Sequence, residues 1–182
     1  MQKNSRRLQI GVMGSAADQN YPQELEGPAA ELGTCIAKAG HTLVYGANKD
    51  TDTLPTVAAR AARTAGGSTL GVTYGTERGV LFPEAADVLV ASGANRGGGR
   101  EFVLVNSCDV IILIAGGAGT LTETAIAYQL GLPIVALVRT GGWAAKLAGE
   151  YLDARKRTKI IGAETPEEAV RIAIEAVKLS GQ

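Results

Sequence analysis

Short apolar runs that end on glycine recur along this chain: "IGVMGS", "LVYGA", "LGVTYG", "VLVASG" and "ILIAGG". Each has the length of a strand, and the closing glycine allows a sharp turn into the next element. This placement accounts for the 24 glycines in 182 residues, nearly double the usual share of about 7%. Between the runs lie helical stretches. "QELEGPAAELGTCIAKAG" sets Leu25, Leu32 and Ile36 near helical spacing and closes on Gly40, while "TDTLPTVAARAARTAGG" opens with capping residues and stops at Gly66 and Gly67. "TPEEAVRIAIEAVKLSG" predicts a helix with Thr165 as N-cap, Pro166 at the first position, Glu168 closing a capping box and Gly181 beyond the end. Runs such as "VIILIA" and "PIVALV" have no polar face, so they suit strands covered on both sides in a parallel sheet. The expected fold class is α/β, a Rossmann-like three-layer sandwich with a mostly parallel sheet, in one domain over residues 1–182.

Charge and composition narrow the function. Eighteen basic and eighteen acidic side chains cancel, and no run of like charge supplies the electrostatic footprint of a nucleic-acid binder. The basic N-terminus breaks into Gly, Ser and Asp too early for a signal peptide, and no apolar run approaches the roughly 20 residues of a membrane span. A cytoplasmic protein is expected. Cys35 and Cys108 lie far apart in apolar surroundings, as reduced core thiols do, and a single histidine argues against a structural metal. His41 has no sequence partner for a role as general base. The basic trio Arg155, Lys156 and Arg157 reads as a solvated helix end, and Trp143 reads as a packing anchor at a helix start or as a wall of a ring pocket.

In a parallel α/β sheet, ligands bind beyond the carboxyl ends of the strands, where these glycines fall. Two familiar phosphate motifs are nevertheless missing. The first turn reads Gly11-Val-Met-Gly14-Ser15 rather than G-x-G-x-x-G, and the second strand ends Val44-Tyr45-Gly46 with no acidic residue for a ribose. No G-x-x-x-x-G-K-[ST] occurs either. What remains is "LIAGGAGTLTETAIAYQLGLPIV", in which Gly116, Gly117 and Gly119 follow a buried strand and Thr120 stands where a helix should begin. Backbone N–H groups and the positive end of that helix would then face the loop, an arrangement suited to a phosphate. Thr120-Leu-Thr-Glu123 also reads as a plain capping box, and spacing alone leaves the two readings open.

"AGGAGTLTE" resembles the P-G-G-x-G-T-x-x-E signature of the LONELY GUY family of lysine decarboxylase-like proteins and of their relatives, the molybdenum-cofactor carrier proteins. Ala115 stands in place of the leading proline. Upstream, the family carries an arginine nine residues before an aspartate that opens the strand, as Arg100 precedes Asp109 here. "YQLGLPIVAL" downstream and "VMGS" at Gly14 and Ser15 are also similar, and the main resemblance covers residues 96 to 139. In hydrolytic members the arginine and the final glutamate serve cleavage of an N-glycosidic bond. The resemblance therefore implies Arg100 and Glu123 as a catalytic pair, with Gly14, Ser15, Gly46, Gly116, Gly117, Gly119 and Thr120 around the bound ligand. The residue types suit that chemistry: a carboxylate stabilises positive charge developing on a ribose, and an arginine grips phosphate or ribose oxygens.

The departures point another way. Hydrolytic members carry a second glycine run after the second strand, but "YGANKDTDTLPTVA" retains only Gly46 of it; Ala47 resists a positive φ that Asn48 tolerates. Their Arg-Lys pair is Arg100-Glu101 here, which removes a positive charge. Gly97, Gly98 and Gly99 before Arg100 read as a lid or a plain flexible loop. The expected function is thus carriage or binding of a phosphate-bearing nucleotide or a molybdopterin-type cofactor, with no cofactor required for chemistry. The alternative is a nucleoside 5′-monophosphate phosphoribohydrolase acting on AMP or a cytokinin riboside monophosphate. The resemblance also implies a homodimer or tetramer, without nucleic-acid or membrane partners.

Overall fold

The most apolar runs of the sequence form the middle of a seven-stranded, entirely parallel sheet. The structure is a computed structural model and describes residues 6–95 and 98–181. Its strands are β1 (Gln9–Gly14), β2 (Thr42–Gly46), β3 (Ser68–Thr73), β4 (Val88–Ala91), β5 (Val110–Ile114), β6 (Ile134–Leu137) and β7 (Ile161–Ala163), in the order β4-β3-β2-β1-β5-β6-β7. Every residue of β5 and β6 is buried, as their unbroken apolar sequences require. Helices α1 (Glu26–Lys38), α2 (Leu54–Thr64) and α6 (Pro166–Ser180) pack on one face; α3 (Gly99–Asn106), α4 (Ala118–Leu130) and α5 (Gly142–Leu147) contribute to the core on the other. This is the Rossmann-like α/β arrangement expected from the strand and helix alternation. The strand order reverses between β1 and β5, so the loops leaving these two strands diverge and open a crevice.

Threonine side chains cap two of the helices. Thr53 caps α2 by accepting the Thr56 N–H at 3.0 Å, with Pro55 in the first turn. Thr165 caps α6 by accepting the Glu168 N–H at 3.2 Å, and Gly181 ends it at φ 75°. Glu168 does not close the expected reciprocal box. Its carboxylate reaches one residue further back and accepts the Glu164 N–H at 2.8 Å.

Several expectations change. Helix α4 starts at Ala118, with Gly117 as its N-cap, two residues earlier than the Thr120 start read from sequence. Arg155, Lys156 and Arg157 lie in the turn region between α5 and β7, not at a helix end, and Arg155 pairs with Asp153. His41 is structural: its Nδ1 accepts the Leu8 N–H at 3.3 Å, and burial lowers its pKa. Asp109 sits at the amino end of β5, where it accepts the Gln9 N–H at 2.8 Å and pairs with Arg6, away from the crevice. Among the described residues no helix is long and apolar enough to cross a membrane.

Candidate functional site

The crevice at the switch point is a cleft of about 350 Å³ built from five loops. β1 contributes Gly14, β2 contributes Gly46 and Asn48, and Tyr74 follows β3. Arg100 and Glu101 come from the first turn of α3, while Ala118, Gly119, Thr120 and Glu123 come from α4. Residues distant in sequence meet here because parallel strands deliver all their exits to one edge.

The β5–α4 turn presents its backbone to the cleft. Intrahelical bonding in α4 begins with the Leu121 N–H on the Gly117 carbonyl at 3.0 Å, and Gly117 has no side chain to cap the turn. The N–H groups of Ala118, Gly119 and Thr120 therefore have no acceptor within the helix, and the helix dipole adds partial positive charge. Ser15, Gly116 and Gly117, expected beside a ligand, are not among the residues that line the cleft. They build the turn behind it. Ser15 Oγ accepts the Gly116 N–H at 2.9 Å, and the Gly116 carbonyl accepts the Trp143 N–H at 3.1 Å. Gly116 adopts φ 100°, and a Cβ there would lie 2.6 Å from Thr120 Cβ. Trp143 thereby ties the start of α5 to the turn through its backbone, its ring meets Lys146 Nζ at 4.8 Å, and it does not line the cleft.

Ala115, which stands where the resembling signature has proline, adopts φ 51° and donates its N–H to Thr140 Oγ1 at 2.8 Å. Proline holds φ near −65° and has no N–H, so it fits neither feature.

Arg100 is 6% exposed and lies across the end of β2. Its Nη2 donates to Tyr74 Oη at 2.6 Å and to Glu101 Oε1 at 3.4 Å, with Cζ 4.1 Å from the Tyr74 ring centroid. Its Nε and Nη1 are buried without a hydrogen-bond partner among the described residues. Gly46 makes room for it. A Cβ on Gly46 would stand 2.8 Å from Arg100 Cζ and closer still to Nη1. Neither Ala47 nor Asn48 takes a positive φ, so the chain continues out of β2 rather than cradling a phosphate. Ala47 extends the pairing with β3 by donating to the Val72 carbonyl at 2.9 Å, and Asn48 Oδ1 is buried without a partner.

Glu101 and Glu123 are both buried yet differ electrostatically. Burial pushes Glu101 up, but its own N–H, the Gly98 N–H at 2.9 Å, the Arg100 charge and the Tyr74 hydroxyl hold its pKa below the ordinary value. It therefore stays ionised and pins the start of α3. Gly98 and Gly99 belong to that start rather than to a lid; Gly97 lies outside the described residues. Glu123 has no hydrogen-bond partner among the described residues. Burial pushes its carboxyl up to about 8, opposed by Arg100 and reinforced by Glu101. It sits at the sixth position of α4, too deep to close a capping box, so that reading of Thr120 and Glu123 falls.

Among the described residues, the side chains lining the cleft include one cation, Arg100, against Asp18, Glu101 and Glu123. No group of three or more His, Cys, Asp or Glu side chains that could hold a metal ion occurs among the described residues. Tyr74, Asn48 and Gln19, none of them singled out as a ligand contact from sequence, also face the cleft. Tyr74 carried one usable signal, its position directly after a strand.

Residues 7–170 match the SLOG cluster4 family. An uncharacterized protein of Archaeoglobus fulgidus is 29% identical over 130 residues, 71% of this chain and 80% of that protein. An X-ray structure from a structural-genomics programme superposes with a TM-score of 0.82 at 33% identity, covering 92% of this chain and 99% of the other. The molybdenum cofactor carrier protein of Chlamydomonas reinhardtii superposes with a TM-score of 0.79 at 25% identity, covering 95% of this chain and 99% of that one.

Proposed function

The chain belongs to the SLOG cluster4 family, and from that premise we propose that it binds and carries a phosphate-bearing small molecule of nucleotide or pterin type. The observation that carries this reading is the pairing of two kinds of unused donor in one cleft. The first turn of α4 offers three N–H groups, and buried Arg100 offers Nε and Nη1. A buried polar group left without a partner costs about 1 to 3 kcal/mol, more when charged, and ligand oxygens would recover that cost. The likeness to a molybdenum cofactor carrier protein supports a pterin-type ligand as one form of this class.

A second reading, hydrolysis of a nucleoside 5′-monophosphate, is favoured by Arg100 and Glu123 facing the same cleft. It ranks below binding for an electrostatic reason. Burial raises the Glu123 carboxyl and favours its neutral form, which gives little stabilisation to a positively charged ribose. Mass spectrometry and absorbance of the material that copurifies, followed by chromatography after incubation with AMP, test both readings. Binding with little or no adenine release is expected. Rapid adenine release by the wild type, abolished in Glu123→Gln, would replace carriage by hydrolysis. Assembly as a homodimer or tetramer belongs to this proposal too, and a monomer by light scattering at high micromolar concentration would remove it.

A further inference from the structure

Glu123 is a buried cleft carboxyl with no ion-pair partner among the described residues. It is 6% exposed and has no hydrogen-bond partner among the described residues. The groups around it are few. From α3 it faces Arg100 and Glu101, and from the segment before β5 it faces Cys108, whose thiol burial pushes up and keeps neutral. Asp18 stands on the same cleft wall, and Tyr128, the other titratable residue of α4, bonds to Asp153 at 2.8 Å. Arg100 does not neutralise Glu123 alone, because its nearest carboxylate is the ionised Glu101 at 3.4 Å.

Position on the helix makes this unmatched group consequential. Glu123 follows Gly119 by four residues and Thr120 by three, so all three lie on one face of α4 and line the cleft together. An anion held by the first-turn N–H groups sits about one turn, roughly 5.4 Å along the axis, from the carboxyl. At that distance an ionised Glu123 repels the anion, whereas a protonated one can donate to it.

We propose that Glu123 enters the complex as a neutral acid that donates its proton to an oxygen of the bound phosphate, so that a carried proton does the work of a second cation. This rests on the anion site of the proposed function and adds to it how the anion is recognised. No bond other than the hydrogen bond forms, and the proton stays on Glu123.

The sign of the coupling is fixed by linkage. Burial already raises the free carboxyl to about 8, and a neighbouring anion raises it further. Below that pH the proton is in place and binding takes up none. Above it each binding event draws in a proton, and Kd rises toward about tenfold per pH unit.

Calorimetry of the full chain with AMP and, separately, with inorganic phosphate between pH 7.5 and about pH 9.5 reads this directly, since the second phosphate pKa of about 6 leaves AMP fully ionised there. Repeating the AMP titration in buffers of different ionisation enthalpy counts the protons taken up by the wild type. Uptake is expected to approach one at the upper end, and Glu123→Gln, which keeps a donor but cannot ionise, is expected to bind with the same Kd across the range. A flat wild-type profile without proton uptake overturns the proposal, as does an unchanged slope in Glu123→Gln. Should the variant fail to fold, the wild-type proton count decides alone. Absence of binding by either probe at every pH overturns the proposed function itself, and this inference with it.

Discussion

Replacing Gly46 by alanine adds one methyl group in the place Arg100 occupies. The new Cβ would stand 2.8 Å from Cζ and nearer to Nη1, so the guanidinium must leave the end of β2. Gly46 is not among the positive-φ glycines, so alanine meets no backbone penalty there. The displaced Arg100 loses its bond to Tyr74 and its stacking on that ring, together worth about 2 to 5 kcal/mol, and its long 3.4 Å contact with Glu101, whose carboxylate keeps the Gly98 N–H and Tyr74 hydroxyl as donors. Exposure of the unpartnered Nε and Nη1 returns about 1 to 3 kcal/mol each, so the net change in folding stability is small. Ligand affinity has no such offset. Loss of one charge-assisted contact of about 1.5 to 3 kcal/mol weakens binding roughly 10- to 100-fold. Calorimetric titration with AMP beside thermal melts separates the two effects, and a double-mutant cycle with Arg100→Ala isolates the route. In the Arg100→Ala background the alanine at position 46 has nothing to displace and changes Kd less than about twofold. Wild-type affinity in Gly46→Ala, or a loss that adds in full to that of Arg100→Ala, would refute the reasoning.

Three further outcomes follow from the same geometry. Ala118→Pro removes one first-turn N–H at a helix position that tolerates proline, after a residue already extended at φ −107° and ψ −150°; phosphate affinity should fall roughly 10-fold or more while the melting temperature barely moves. Ala115→Pro restores the residue of the resembling signature yet should destabilise the fold by about 3 kcal/mol or more in denaturant titration, because φ 51° and the N–H to Thr140 are both lost; unchanged stability would contradict the described backbone path. Glu101→Gln keeps a side chain able to hold the Gly98 N–H but leaves Arg100 without its matching charge. The Glu123 carboxyl should then ionise more readily, and the pH dependence of AMP binding should begin below about 8.

What the sequence disclosed divides along a physical line. Strand and helix alternation, the buried character of β5 and β6 and the caps at Thr53 and Thr165 are local features, and they predicted the fold. The start of α4 was hidden because Gly117 caps without a side chain, while Thr120 and Glu123 imitate a capping box. Arg100 and Glu123 were legible through their motif and do share the cleft. The part of Gly46 as space for Arg100, and of Ser15 as acceptor for Gly116, depends on neighbours 54 and 101 residues away, and no local pattern records such meetings.

The ladder between β1 and β5 has a bearing on how the chain is made. β1 to β4 with α1 and α2 form one consecutive stretch of chain, ending at Ala91, and can pair among themselves as synthesis proceeds. Throughout that interval the second edge of β1 stays open, because its partner β5 begins only at Val110. The early half carries Gly14, Gly46 and Tyr74, and the cleft is closed only when the later half, with Arg100, Thr120 and Glu123, docks on that edge and Ser15 meets Gly116. A ligand held in the completed cleft would bridge the early half and the late one and resist any separation that begins along this seam.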